Sequence, residues 1–207
     1  MTRPDHQSLV ATRRALHGVA ELVIAGPQYA SSGTIRLRVV PGGFAGTASG
    51  LGVDGGELVW EGGRTPLGGT CRRMAEAAGV EASVPAVYGA GSGVDPDEVL
   101  TFDAEALMIV SGCFERGDSA LRTFAPDAEP VLWPEHFDVG RSLGEVNYGV
   151  SAGDDGHEAP YAYVAPWEPR EGDFWNAPFG AVRAADTLPD AAAIVAFFED
   201  GRRAAGR

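Results

Sequence analysis

The 207-residue sequence contains no lysine, so all sixteen basic residues are arginine. This absence excludes a Schiff-base lysine, a lysine general base and the lysine of a phosphate-binding P-loop. Acidic residues number 29, and the formal net charge is −13. An acidic surface repels the phosphates of nucleic acids and of anionic membranes. The sequence therefore predicts neither a nucleic-acid partner nor a membrane partner.

Long apolar runs and cysteines are also scarce. No apolar run approaches the roughly 18 residues that span a bilayer, and the N-terminus lacks the apolar segment of a secretory signal. The two cysteines, Cys71 and Cys113, share no metal-type spacing and are predicted to be reduced and partly buried in separate helices. These features predict a soluble, cytoplasmic protein.

Length and hydrophobic periodicity indicate the fold class. The length fits one globular domain covering residues 1–207. Apolar residues at helical spacing predict helices over 5–25, 67–79, 103–124 (or two helices broken near Gly112 or Gly117) and 190–203. Alternating or short apolar runs predict strands at 34–40, 57–61, 131–133, 145–150, 160–164 and 181–184, with the glycine-rich 41–56 as a loop. We therefore expect an α+β fold, a mostly antiparallel sheet with helices packed on one face.

Two catalytic or cofactor motifs are matched only in part. Residues 89–94, GAGSGV, have Val94 where a dinucleotide fingerprint has its third glycine, and Asp95-Pro96 follow instead of a helix. Ser151 lies in a G-x-S-x-G sequence, but the residues after it cannot open a helix, and no histidine follows His157. Neither a dinucleotide site nor a serine hydrolase is predicted.

The stretch 131–181 holds the candidate catalytic and metal-binding residues. It carries three of the four tryptophans, and nine carboxylates against two arginines. On an extended segment His136 and Asp138 would point to one face, and His157 would complete a two-histidine, one-carboxylate metal site. The sequence thus predicts these three as metal ligands or acid–base groups, with a divalent metal as cofactor. The alternative is a solvated turn in which His136 bonds Asp138 or a backbone carbonyl.

Aromatic and amide side chains of the same stretch are the candidate ligand-binding residues. Rings at loop edges beside amides suit a small polar ligand that stacks and forms hydrogen bonds. They suit equally a structural corner in which each ring N–H or hydroxyl finds a partner. The residues concerned are Asn147, Tyr148, Trp167, Trp175 and Asn176.

Several segments give the chain a family resemblance. They are RRALHGVAE (13–21), IRLRVVPGGF (35–44), LWPEHFD (132–138), VNYGVSAGD (146–154), PYAYVAPW (160–167) and FWNAPFGA (174–181). On these segments the chain resembles a set of uncharacterised actinobacterial proteins allied to a broader domain of unknown function. The resemblance implies one domain and an intracellular setting, and it carries no functional residue onto this sequence.

Two functions are consistent with these patterns. The first is small-molecule binding, with metal-assisted catalysis at an acidic-aromatic pocket formed by the stretch 131–181. The second is a non-catalytic interaction or scaffold protein with an acidic surface, in which that stretch is core. The sequence predicts neither a reaction nor an oligomeric state.

Overall fold

The computed structural model of the protein describes residues 5–89 and 91–206. This part of the chain contains α-helices and strands paired in antiparallel fashion, so the predicted α+β class is confirmed. The chain divides into two compact units. The first comprises Met1–Gly112 with Leu132–Phe137, and the second comprises Cys113–Val131 with Asp138–Arg207. A single domain over 1–207 stays a prediction.

The first unit begins with three consecutive helical segments instead of the single predicted helix. They are α1 (His6–Gly18), a π-helix (Val19–Ala25) and α2 (Gly26–Ser32). Asp5 caps the start, its carboxylate accepting a hydrogen bond from the Ser8 amide at 2.8 Å. Pro27 does not end the helical run because proline is tolerated in the first turn of a helix, here α2. The run ends at Gly33, which has a φ of 74°.

Short antiparallel strands follow in the first unit, in the order β6-β1-β2-β3-β4-β5. The predicted loop at 41–56 was wrong, because two of these strands lie within it. Glycines at the turns permit this: Gly42 and Gly55 have φ values of 80° and 56°, which reverse the chain tightly. The strands are β1 (Leu37–Val40), β2 (Gly43–Gly46), β3 (Gly52–Asp54), β4 (Glu57–Trp60), β5 (Gly63–Pro66) and β6 (Val131–Trp133).

A long irregular segment connects the last helices of the first unit. Helix α3 is Cys71–Ala77, and α4 is Ala104–Phe124, of which residues 104–112 belong to this unit. Between them, the described residues of 78–103 form no helix or strand beyond a single bridge between Leu100 and Gly69. We call residues 78–103 the connecting segment.

Gln28 joins α2 to the first strands of this unit. Its side chain is fully buried. The amide nitrogen donates to the carbonyls of Thr34 and Arg36, both at 3.0 Å, and the amide oxygen accepts from the backbone N–H groups of Ala48 and Ser49. One side chain thereby bonds four backbone groups, of which the Arg36 carbonyl also accepts from Thr47.

The second unit is a four-stranded antiparallel sheet with helices on one face. The strands are β7 (Asp138–Leu143), which was not predicted, β8 (Val146–Ser151), β9 (Tyr161–Pro166) and β10 (Ala181–Ala184), followed by α5 (Ala191–Ala204). Gly117 of α4 approaches Val139 and Val150, and Gly201 of α5 approaches Val164 so closely that an added Cβ would lie within 3.0 Å of those side chains. The predicted placement of helices on one face is confirmed for this sheet.

Both cysteines lie in helices, are free and are buried. Burial raises the pKa of each thiol to about 12, so both stay protonated at neutral pH. None of the helices in residues 5–89 and 91–206 is long and apolar enough to cross a membrane.

Replacing Gln28 with leucine removes its four hydrogen bonds while keeping a similar volume. Because an intramolecular hydrogen bond contributes about 0.5–1.5 kcal/mol, we expect the loss of four to lower the free energy of unfolding by about 2 kcal/mol or more, measured by urea titration. The exposed Gln7→Leu variant on α1 is the control and should stay within about 0.5 kcal/mol of the wild type. Equal urea midpoints for the two variants would contradict this role.

Candidate functional site

The predicted ligands His136, Asp138 and His157 occupy three different local settings. His136 lies in a turn with 71% of its side chain exposed, Asp138 is buried at the start of β7, and His157 is exposed between β8 and β9. Among the described residues, no group of three or more His, Cys, Asp or Glu could hold a metal ion. The predicted three-residue set is therefore not found as a metal-binding group in this part of the chain.

The reason lies in the conformation of Phe137. Its φ is 51°, in the left-handed region, so residues 136–138 are not the extended segment on which side chains i and i+2 share a face. The Phe137 ring is buried, stacked on His17 at a centroid distance of 5.3 Å and edge-on to Phe44 at 5.6 Å. The chain therefore turns between His136 and Asp138, and this turn directs the Phe137 ring into the core.

Asp138 is bound to a tyrosine across the sheet of the second unit. The hydroxyl of Tyr163, on β9, donates to its carboxylate. The tyrosine ring reaches β7 by lying over Gly149 of β8, where an added Cβ would be 2.4 Å from the phenol oxygen. Burial, and then the negative charge of Asp138, raise the pKa of Tyr163 well above its ordinary value. The phenol is thus a neutral donor that ties β9 to β7.

Asp154 organises the turn that carries His157. One carboxylate oxygen accepts from the backbone N–H groups of Gly156 and His157, at 2.7 and 2.8 Å, and the other accepts from the Tyr161 hydroxyl. Burial alone would raise the pKa of Asp154, but these hydrogen bonds outweigh it and hold the pKa below its ordinary value. The acidic turn is therefore a hydrogen-bonded structure anchored to β9.

Ser151 has the environment of a structural serine. It is buried at the end of β8, its hydroxyl oxygen accepts from the Gly153 amide at 3.1 Å, and no helix follows. The strand-to-helix elbow of a serine hydrolase is absent at this position. This agrees with the rejection of the G-x-S-x-G motif.

Three of the predicted ligand-binding side chains either pack in the core or form a hydrogen bond with each other where β9 ends. Tyr148 is 1% exposed and packs between Phe124 and Phe198, so its ring cannot meet a ligand. The Asn147 side-chain oxygen accepts from Trp167 Nε1 at 3.1 Å, which fixes the indole where β9 ends. This arrangement corresponds to the structural-corner alternative.

Asn176 and Trp175 form a second corner beside β10. The Asn176 amide donates to the Val182 carbonyl at 3.1 Å and accepts from the Val182 N–H at 2.8 Å, in the manner of an added strand residue. Trp175 packs edge-on against Phe174 with a centroid distance of 5.0 Å. These contacts therefore stabilise the chain around β10.

A polar cluster in the first unit was not predicted. Glu21 lies in the π-helix and is only 3% exposed. Around it are His17 of α1, two residues of the connecting segment and one residue of the turn after β6. We call this group the Glu21 cluster: His17, Glu21, Tyr88, Ser92 and Glu135.

Ser92 binds the Glu21 carboxylate through two donors. Its backbone N–H and its hydroxyl both donate to Glu21 Oε2, at 2.9 and 2.5 Å. The backbone comes this close because residue 91 is a glycine: a Cβ there would lie 1.8 Å from Glu21 Oε1. Gly91, one of the glycines that suggested a dinucleotide fingerprint, instead lets the backbone approach a buried carboxylate closely.

Further contacts fasten the connecting segment to the same helical run. The Ser83 N–H donates to the carbonyl of Leu22 in the π-helix at 3.0 Å. Arg14 of α1 donates to Gly93 O at 3.1 Å and forms an ion pair with Glu98. The segment is therefore held to both α1 and the π-helix.

His17 is a neutral imidazole with one free lone pair. Its Nε2 is 2.7 Å from the carbonyl oxygen of Pro134, and because a carbonyl only accepts, Nε2 carries the proton. Burial lowers the pKa of His17, while the Pro134 carbonyl and the charge of Glu21 offset this in part. Nδ1 is thus an acceptor at neutral pH.

The Tyr88 hydroxyl lies beside Glu21. It is buried and makes no hydrogen bond of ordinary geometry, although it interacts with the Glu21 carboxylate. Burial, followed by the negative charges of Glu21 and Glu135, raises the pKa of Tyr88 well above its ordinary value. Glu135, with 34% of its side chain exposed, places the cluster near the surface.

One feature of the sequence could have pointed to this cluster. Glu21 interrupts an apolar run, VAELVIA, on a helix whose neighbouring positions are all buried. A charged residue inside such a run is rarely fully buried without a partner. Its partners, however, lie 71 residues away at Ser92, and no local pattern identifies them.

Comparison with known proteins adds no further assignment: no family model, curated protein or solved structure matches the chain. The resemblance to uncharacterised actinobacterial proteins stays a prediction.

The depressed pKa of Asp154 makes acid stability depend on this residue. Its contribution is present above the unfolded value near 3.8 and is lost as the pH falls through the lower folded value. We expect Asp154→Asn to lower the thermal midpoint at pH 7 and to flatten its fall between pH 5 and pH 2 (about the range of this titration). The neighbouring, exposed Asp155→Asn is the control. Parallel pH profiles for the wild type and Asp154→Asn would contradict the assignment.

The state of His17 can be read by ¹⁵N NMR of its ring. At pH 7 we expect a proton on Nε2 and none on Nδ1, with the second proton added only below the ordinary value of 6.5. The His17→Gln spectrum identifies the signals. A doubly protonated ring at pH 7, or a proton on Nδ1, would show that the Pro134 contact does not set the tautomer.

Proposed function

We propose that the protein binds a small polar molecule at the Glu21 cluster. The observation that carries this proposal is a carboxylate only 3% exposed, faced by a neutral imidazole, a serine and a phenol from separate parts of the chain. Convergent polar groups in an otherwise apolar setting are typical of ligand sites.

The helical geometry around Glu21 supports this choice. π-helical turns are rare and are found frequently at functional sites, since the extra residue widens the helix and changes the direction of its side chains. Here the π-helix spans seven residues, Val19–Ala25, and all seven are buried.

The connecting segment supports it as well. Irregular segments of more than about 15 residues inside a compact unit are uncommon and are usually functional. This one, 78–103, supplies Tyr88 and Ser92 to the cluster and covers the π-helix. Tyr88 and Ser92 are half-buried and the Glu135 side chain is 34% exposed, so part of the cluster is reached from solvent.

The cluster also has the protonation states needed for proton transfer. His17 has an available lone pair at neutral pH, and the Tyr88 phenol is protonated. A neutral imidazole and a protonated donor near one carboxylate form an acid–base set. No metal enters this proposal.

A thermal-shift screen of small polar metabolites tests the binding site. A compound that raises the melting temperature of the wild type should bind Glu21→Gln about tenfold more weakly or worse, because a hydrogen bond to a charged group contributes about 1.5–3 kcal/mol. Tyr88→Phe, which removes only one hydroxyl, should weaken binding less.

The control is Glu76→Gln, the same chemical change at an exposed position of α3. It should bind the compound as the wild type does. Compounds that bind Glu21→Gln with unchanged affinity, or a screen without any stabilising compound, would count against a ligand site at this cluster.

A second candidate function, protein–protein interaction, is favoured by two exposed aromatic residues of the second unit. Trp167 is 63% exposed and Phe179 is 45% exposed. Because Val164 of β9 pairs with Ala181 of β10, both rings lie at the same end of this strand pair. Exposed aromatic rings are common in the centres of protein interfaces.

A further inference from the structure

From the charges and hydrogen-bonding groups of the Glu21 cluster, we infer that its ligand is a small organic cation, an ammonium or guanidinium compound. This inference rests on the proposed function and specifies its ligand class. It depends on which groups of the cluster still accept hydrogen bonds, which nearby cations are already paired, and where the second oxygen of the Glu21 carboxylate lies.

Acceptors dominate the cluster. Glu21 and Glu135 are both carboxylates, and both act electrostatically on the Tyr88 hydroxyl. His17 uses its one N–H on the Pro134 carbonyl, so its remaining ring nitrogen is a further acceptor. The hydroxyl and amide of Ser92 are already engaged with Glu21.

The nearest arginines are committed elsewhere or buried. Arg14 is paired with Glu98 and donates to Gly93 O. Arg13 is buried on α1, and its positive charge opposes protonation of His17. His136, the remaining basic group near His17, also opposes that protonation. With two carboxylates against the one permanent cation Arg13, the cluster has an excess of negative charge, which a cationic ligand would balance.

The geometry of residue 91 sets the surroundings of the second Glu21 oxygen, Oε1. Both Ser92 donors act on Oε2. Oε1 occupies the space that a side chain at Gly91 would take, and Gly91 is itself exposed. Oε1 therefore lies beneath an exposed backbone position that has no side chain, and this is the side from which an N–H donor would approach it.

The overall charge favours the same class of ligand. A net charge of −13 attracts cations to the surface and repels anions. A charged N–H group binding a carboxylate in a water-poor site forms a short, strong hydrogen bond. A neutral alcohol would lack the charge, and a carboxylate ligand would face two like charges.

Four probes with one carbon chain and different head groups test the inference: n-butylamine, N-butylguanidine, n-butanol and butyrate. Binding is followed by ¹H–¹⁵N NMR at the backbone amides of Gly91 and Ser92, which also detects weak binding. We expect the two cations to shift these signals in a saturable manner, and butanol and butyrate to leave them unchanged. Affinity for the cations should fall as salt is added.

Two variants and one control sharpen the test. Glu21→Gln should weaken binding of the cations about tenfold or more, and Glu135→Gln about two- to threefold, since Glu135 is partly screened by solvent. Gly91→Ala, which places a methyl group at Oε1, should abolish binding. Glu76→Gln should bind like the wild type.

The outcomes distinguish a wrong ligand class from the absence of a ligand site. Butanol or butyrate shifting the same amides as strongly as the cations would overturn the cation class while leaving a ligand site in place. If no probe shifts these amides, or if binding of the cations is unchanged in Glu21→Gln, the cation class is also overturned. The metabolite screen then decides independently whether the cluster binds any ligand.

Discussion

The burial of the Glu21 carboxylate is the constraint on which much of the first unit depends. Removing an ionised group from water is costly unless hydrogen bonds replace the lost hydration. The chain supplies them from Ser92, which requires the connecting segment to lie directly on the π-helix. Glycine at 91 then becomes a steric requirement, because a side chain there would occupy the position of the carboxylate oxygen.

The same constraint connects stability with function. Buried ion-containing groups are often less stabilising than a well-packed apolar alternative of the same volume. A carboxylate kept in the core beside a neutral imidazole and a phenol is the arrangement on which the proposed ligand site rests. The contact of His17 with Pro134 serves the same end, since it leaves the imidazole with one acceptor nitrogen.

In the second unit the acidic groups have a different role. Asp138 and Asp154 each accept a hydrogen bond from a tyrosine of β9, so both carboxylates link strands or turns to this sheet. The residues expected to line a pocket are likewise engaged: Tyr148 in the core, Asn147 with Trp167. The acidic and aromatic residues that lie close together in this part of the sequence therefore link the strands of the sheet to one another. The helices pack on one face of that sheet.

Local patterns in the sequence determined the α+β class, the helices α1, α4 and α5, and strands such as β8 and β9, because periodicity reports which side chains face a core. They did not indicate β2 and β3, whose glycines resemble loop residues until neighbouring strands pair with them. The Glu21 cluster was decided only by tertiary structure. Ser92 and Pro134 reach their partners across 71 and 117 residues, and the turn at Phe137 separates residues that an extended chain would have aligned. Such contacts depend on how the chain folds back on itself, which residue spacing alone does not encode.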